Sequence, residues 1–177
     1  AGVWAITDKM VFCLDGDKAG QVGTLRSIYA AASSMKDGQT ICVASLPAGM
    51  DPDEYIVEHG KEGWDQFIAA SQSLSTYLSV SAQERFNMAT VEGRAGYLAH
   101  QAQVADLFQN APNIRSEITK EAEATCSAIV IKQALAALKK GMAPDDVDAE
   151  LLGSIIERLK TVMTMAAGPG HAAKPSA

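Results

Sequence analysis

The chain has 177 residues, of which 47% are hydrophobic and 20% charged, with a formal net charge of -6. That composition is an ordinary globular one, long enough for one to two domains. It excludes a membrane-embedded chain, because no apolar run approaches the length of a span. Cys13, Cys42 and Cys126 are odd in number, widely spaced and outside any C-x-x-C pair, which excludes a disulfide framework or a cysteine zinc site.

The N-terminal stretch Ala1-Gly-Val-Trp-Ala-Ile-Thr-Asp-Lys9 lacks the basic start and apolar centre of a signal peptide, so a cytoplasmic location is expected. The next run, Met10-Val-Phe-Cys-Leu14, reads as a buried strand that ends at Asp15-Gly16-Asp17. From Lys18 the apolar residues Val22, Leu25, Ile28, Tyr29, Ala32 and Met35 recur at helical spacing. Strand, acidic turn and helix follow one another, and in open α/β sheets the crevice beyond a strand's carboxyl end is where ligands bind. Two carboxylates on one tight turn repel each other unless a cation lies between them. Hard oxygen ligands suit Mg²⁺, although Asp-Gly-Asp is equally ordinary turn chemistry. A calcium loop starting at Asp15 fails, because its fifth and twelfth positions are Ala19 and Arg26.

After the Asp37-Gly38 turn, Thr40-Ile-Cys-Val-Ala-Ser-Leu46 reads as a second strand, closed by Pro47-Ala-Gly49 and tipped by Asp51-Pro52-Asp53. A strand, helix, strand order implies a right-handed crossover with parallel strands, so both tips fall on one edge of the sheet and four carboxylates can share a crevice. The competing reading makes Asp53-Glu54 no more than the acidic first turn of a helix running to Gly60. Lys18, just inside a helix start, is the cation best placed to meet a triphosphate, with a solvated surface lysine as the alternative.

Beyond Gly60 the pattern is helical almost to the end. Trp64, Phe67 and Ile68 form one stripe, expected to pack in the core. Leu74, Tyr77 and Leu78 continue the pattern to Phe86, and Thr90 is a fair N-cap for a helix carrying Ala95, Leu98, Ala102, Ala105 and Phe108. Asn110-Ala-Pro112-Asn113 stops it, with Asn113 as the expected cap of a helix through Ile114, Ile118, Ala122, Cys126 and Leu138 to Lys139-Lys140-Gly141. A last helix is expected from Pro144 past Val162, and Gly168 onward reads as a disordered tail or linker. His59, His100 and His171 have no acid or cysteine at ligand spacing and are not offered as catalysts. The acid excess sits early: the first 77 residues hold 10 of the 21 acids and 5 of the 15 Lys and Arg. The net charge alone argues against a nucleic-acid surface, but bound Mg²⁺ would offset an excess placed there.

The segment Phe12-Cys-Leu-Asp15-Gly-Asp17-Lys-Ala-Gly20, followed by Leu46-Pro-Ala-Gly-Met-Asp51-Pro-Asp53, resembles the second half of the Toprim domain in bacterial-type DNA primases. The similarity continues through Glu58-His-Gly60-Lys-Glu-Gly-Trp64-Asp-Gln-Phe67 and Leu74-Ser-Thr-Tyr-Leu78, and more weakly at Glu92-Gly-Arg94. It implies an α/β Toprim-like parallel-sheet half-domain over 1–80, an α-helical bundle over 81–165 and a tail over 166–177. It further implies Mg²⁺ or Mn²⁺ held by Asp15, Asp17, Asp51 and Asp53, with ribonucleoside triphosphates polymerised on a single-stranded DNA template. A replicative helicase is the implied partner of the full-length family. The resemblance also implies a glutamate on an earlier strand, several tens of residues before Asp15, together with upstream zinc-binding and basic modules. The chain starts 14 residues before Asp15, so a fragment is expected, inactive in primer synthesis by itself. Gln21 stands where many relatives have arginine, and Ser73 where proline is common. Alternative expectations are another Toprim enzyme (a nuclease or topoisomerase), a metal-dependent phosphatase, or a non-catalytic interaction module.

Overall fold

The computed structural model describes residues 3–139 together with residue 153. A short 3-10 turn, Val3–Ala5, leads into β1 (Lys9–Phe12), α1 (Lys18–Ala32), β2 (Thr40–Val43), α2 (Pro52–Ala69), β3 (Gln72–Ser73), α3 (Leu74–Gln83), α4 (Val91–Ala105) and α5 (Pro112–Lys139). The chain divides into two compact units, Ala1–Thr125 and Cys126–Ala177. The sheet, the core and every site described below lie in the first. The expected helix after Pro144 and the expected tail fall outside the described residues.

β1 and β2 pair in parallel, Met10 opposite Ile41 and Phe12 opposite Val43, as a strand, helix, strand order requires. β3, which the sequence pattern did not announce, adds to the other side of β2 in antiparallel register, with Val43 opposite Gln72 and Cys42 opposite Ser73. Two residues are too few to show a period, and neither Gln nor Ser is a strand former. Alternation along β2 sends Ile41 and Val43 to one face, where both are buried. There they meet Ile28, Ala32 and Met35 from α1 and the loop after it, Leu74, Tyr77 and Leu78 from α3, and Val104, Phe108 and Ile118 from the α4–α5 region. One face of a small sheet and four helices thus form a single core.

Met35, read as the last turn of α1, lies beyond its end at Ala32 yet is wholly buried, because the connection to β2 passes over the core. Asn113 does not cap α5, which begins at Pro112. The Asn113 amide instead donates to Asp37 Oδ1 at 3.0 Å, and Asn110 Nδ2 donates to the Ser33 carbonyl at 2.8 Å. Asp37, in the α1–β2 loop, therefore satisfies one of the orphan amides that a local cap would have taken. Thr90 does cap α4, accepting from the Gly93 amide at 3.0 Å. Inside the helical layer, Ser79 Oγ is hydrogen-bonded to Tyr97 Oη (2.7 Å) and Thr125 Oγ1 (2.9 Å). Gln101 Nε2 donates to the Leu78 carbonyl at 2.9 Å. Among the described residues no helix is long and apolar enough to cross a membrane.

Candidate metal centre at the strand tips

The two acidic turns lie side by side at the carboxyl ends of β1 and β2. Gly16, between Asp15 and Asp17, donates its amide to the Met50 carbonyl at 3.0 Å, tying the first turn to the residue before Asp51. The approach is so close that a Cβ at Gly16 would stand 1.9 Å from the Pro47 carbonyl oxygen. Any larger residue would drive the turns apart. Gly20 plays the matching part on the helix side: a Cβ there would fall 2.0 Å from the Asp15 carbonyl oxygen, so the turn folds directly onto the first turn of α1.

Each turn gives one aspartate to the helix it starts. Asp17 caps α1, its Oδ1 accepting from the Gly20 amide at 2.7 Å. Asp51 caps α2 through a reciprocal box: Oδ1 accepts from the Glu54 amide at 2.8 Å, and the Asp51 amide donates to Glu54 Oε2 at 3.1 Å. These bonds hold two carboxylates at helix N-termini and leave the second oxygen of each outside any hydrogen bond among the described residues. Asp15 and Asp53 are exposed, with no hydrogen bond from their side chains among the described residues. Lys18 is the first residue of α1, exposed and outside any ion pair in the described region.

No group of three or more His, Cys, Asp or Glu side chains among the described residues stands close enough to form a metal cage. Mg²⁺ does not demand one, since it is usually bound through one or two carboxylates, several waters and substrate phosphates. Asp17 and Asp51, each with an uncommitted oxygen on clasped turns, fit that demand and not the denser ligand sets of calcium or zinc. Cys13 lies two residues before Asp15, and its thiol is pushed up by burial and then by the Asp15 charge. It is therefore a protonated, poor nucleophile.

Two features were missed from sequence. The Asp51…Glu54 spacing is that of a capping box, a signal open to reading in the acidic run. The Gly16–Met50 clasp joins residues far apart in the chain and leaves no local trace. Trp64, Phe67 and Ile68 are a third discrepancy, because α2 has no fully buried residue. Its rings form their own half-buried cluster, with Tyr55 at 4.6 Å from Phe67, 6.1 Å from Trp64 and 4.3 Å from His59, centroid to centroid. Gly60, expected to end the helix, instead breaks it inside with a positive φ of 66°, and the chain then resumes as a second helical stretch.

No protein-family model matches the chain. It is 34% identical over 93 residues to a DNA primase of Haemophilus influenzae, a match covering 52% of this chain and 16% of that one. Against a DNA primase of Neisseria meningitidis serogroup A it is 31% identical over 147 residues, covering 82% of this chain and 22% of the relative. The chain thus spans about a fifth of the length of these relatives. In structure it resembles the Escherichia coli primase catalytic core with a TM-score of 0.60 and 25% identity, over 68% of this chain and 39% of that one. The mixed sheet with its helices is the Toprim-containing fold of that core.

Proposed function

We infer that this chain corresponds to a stretch of the catalytic core of bacterial-type DNA primases, and that its strand tips hold the divalent metal used in nucleotidyl transfer during primer synthesis. The observation that carries the reading is the Gly16–Met50 clasp, which sets the Asp15-Gly16-Asp17 turn against the Asp51 turn at one edge of parallel strands. The similarity to primases supports it independently. In this reading 1–80 is the metal-binding part and the helices that follow support it.

The proposed ligands are drawn from Asp15, Asp17, Asp51 and Asp53, with Mg²⁺ or Mn²⁺ as the ion. Since no three acidic side chains among the described residues converge, one ion takes at most two of them directly and completes its shell with water and phosphate. When bound, such an ion polarises a phosphoryl oxygen and favours ionisation of an attacking hydroxyl. The chain's own part is positional. The caps lock Asp17 and Asp51, so little rotamer freedom is lost when a cation arrives. Lys18, beside the free amides of the α1 N-terminus, draws the anionic end of a ribonucleoside triphosphate toward the carboxylates. The proposed setting is replication in the cytoplasm, on a single-stranded DNA template and alongside a replicative helicase.

Calorimetric titration with Mg²⁺ tests the metal reading. Asp15→Asn and Asp51→Asn are expected to weaken binding about tenfold or more, with an unchanged circular dichroism spectrum, because each removes a charged ligand while keeping the turn chemistry. Wild-type affinity in both variants would overturn the assignment.

A further inference from the structure

At the amino end of β2, the opposite end of the sheet from the acidic turns, a groove of about 410 Å³ opens between the start of α3 and the side of α5. Its volume is that of a ligand site, and nothing in the metal reading uses it.

The groove has three unlike walls. Ile41, Leu74 and Ile114 make an apolar floor, the first two belonging to the core and Ile114 packing half-buried against it. On the α3 side stand the hydroxyls of Ser75 and Thr76. Ser73 Oγ gathers them, donating to Thr76 Oγ1 at 2.9 Å and lying 3.2 Å from Ser75 Oγ, and both keep hydrogen-bonding capacity to spare. On the α5 side are Glu117 and Glu121, four residues apart and so neighbours on one helix face, where like charges repel. Glu117 Oε1 accepts from Lys120 Nζ at 3.1 Å, whereas Glu121, half-buried, has neither a hydrogen bond nor an ion pair among the described residues. No Lys or Arg is among the residues that line the groove.

That charge balance decides the class of occupant. Phosphates and acidic chains are repelled, and a cationic group is drawn to Glu121. A bare cation answers the acids alone and leaves the apolar floor in water. A peptide answers all three walls: a basic side chain meets the carboxylates, an aliphatic one covers the floor, and main-chain amides and carbonyls pair with the hydroxyls. We propose that this groove docks a short extended segment of a partner protein in which basic and aliphatic residues adjoin.

The test titrates the 177-residue chain with three probes of equal charge, followed by amide NMR. They are acetyl-Leu-Lys-Leu-Lys-amide, acetyl-Ser-Lys-Ser-Lys-amide and the diamine cadaverine. The leucine peptide is expected to bind at least about tenfold more tightly than the other two, shifting Thr40, Thr76 and Glu121 together. The double variant Glu117→Gln with Glu121→Gln should weaken it about tenfold, while Glu58→Gln with Glu62→Gln, exposed acids of α2, should leave it unchanged. No binding of the leucine peptide, or equal binding of the serine peptide or cadaverine, overturns the proposal. So do shifts confined to α2, normal affinity in the α5 variant, or an equal loss in the α2 variant. None of these results touches the metal reading.

Discussion

The two helices that start at the strand tips are built in opposite ways. α1 drives Thr24, Ile28 and Ala32 into the core, whereas α2 buries no residue fully and gathers its aromatic rings into a cluster of its own. One half of the candidate metal centre is thus set by the packing of the whole unit. The other half is held by a capping box, the Gly16–Met50 clasp and local ring contacts.

The largest effect should come from the core side. Ile28→Ala, at a wholly buried position, is expected to cost about 2–5 kcal/mol in urea unfolding. Phe67→Ala in the half-buried α2 cluster should cost less, about 1–2 kcal/mol. Equal costs would erase the distinction between the helices. Gly16→Ala attacks the bond between the halves, because its methyl group collides with the Pro47 carbonyl. A stability loss of about 1–3 kcal/mol is expected, together with weaker Mg²⁺ binding in calorimetry. Normal metal affinity there would mean that the clasp does not position the ligands.

A smaller effect isolates the α2 cap. Asp51→Ala should cost about 1 kcal/mol through loss of the box, while Asp51→Asn, itself a good cap, should cost almost nothing by thermal melting. The smallest effect comes from pH and bears on the body that anchors α1. His100 is lowered from its ordinary 6.5, by burial first and then by the Arg85 charge, so the folded protein favours the neutral ring. The unfolded chain takes up the proton first, so this contribution to stability is present above pH 6.5 and is lost as pH falls through the lower folded value. His100→Gln should flatten that acid-side decline in melting temperature and leave the α2 cluster's Trp64 environment unchanged.

Much of the core-facing half was legible in the sequence. The Val22-to-Ala32 period marks α1, short apolar runs of β-formers bounded by turn residues mark β1 and β2, and the strand, helix, strand order gives their parallel pairing. The Thr90 cap was readable for the same reason, since its partner lies three residues away. What escaped depends on distance in the chain. Asp37 takes the Asn113 amide across 76 residues, β3 is too short to show a pattern, and the Gly16–Met50 contact is backbone to backbone. The Trp64-Phe67-Ile68 stripe has the period of a core helix. Periodicity reports that a face is apolar but not which partner covers it, and here much of the cover is the helix's own rings. The four aspartates were visible as pairs, while the capping duty of Asp17 and Asp51 emerges only from the hydrogen bonds.

The central claim is that both turns grip one ion. Paramagnetic Mn²⁺ at substoichiometric concentration, followed in amide NMR spectra, tests it directly because broadening falls steeply with distance from the ion. Simultaneous broadening at Asp15, Gly16 and Asp17 and at Met50, Asp51 and Asp53, reversed by excess Mg²⁺, is the predicted result. Broadening confined to one turn, or spread equally over the exposed acids Glu58 and Glu62 of α2, would contradict it.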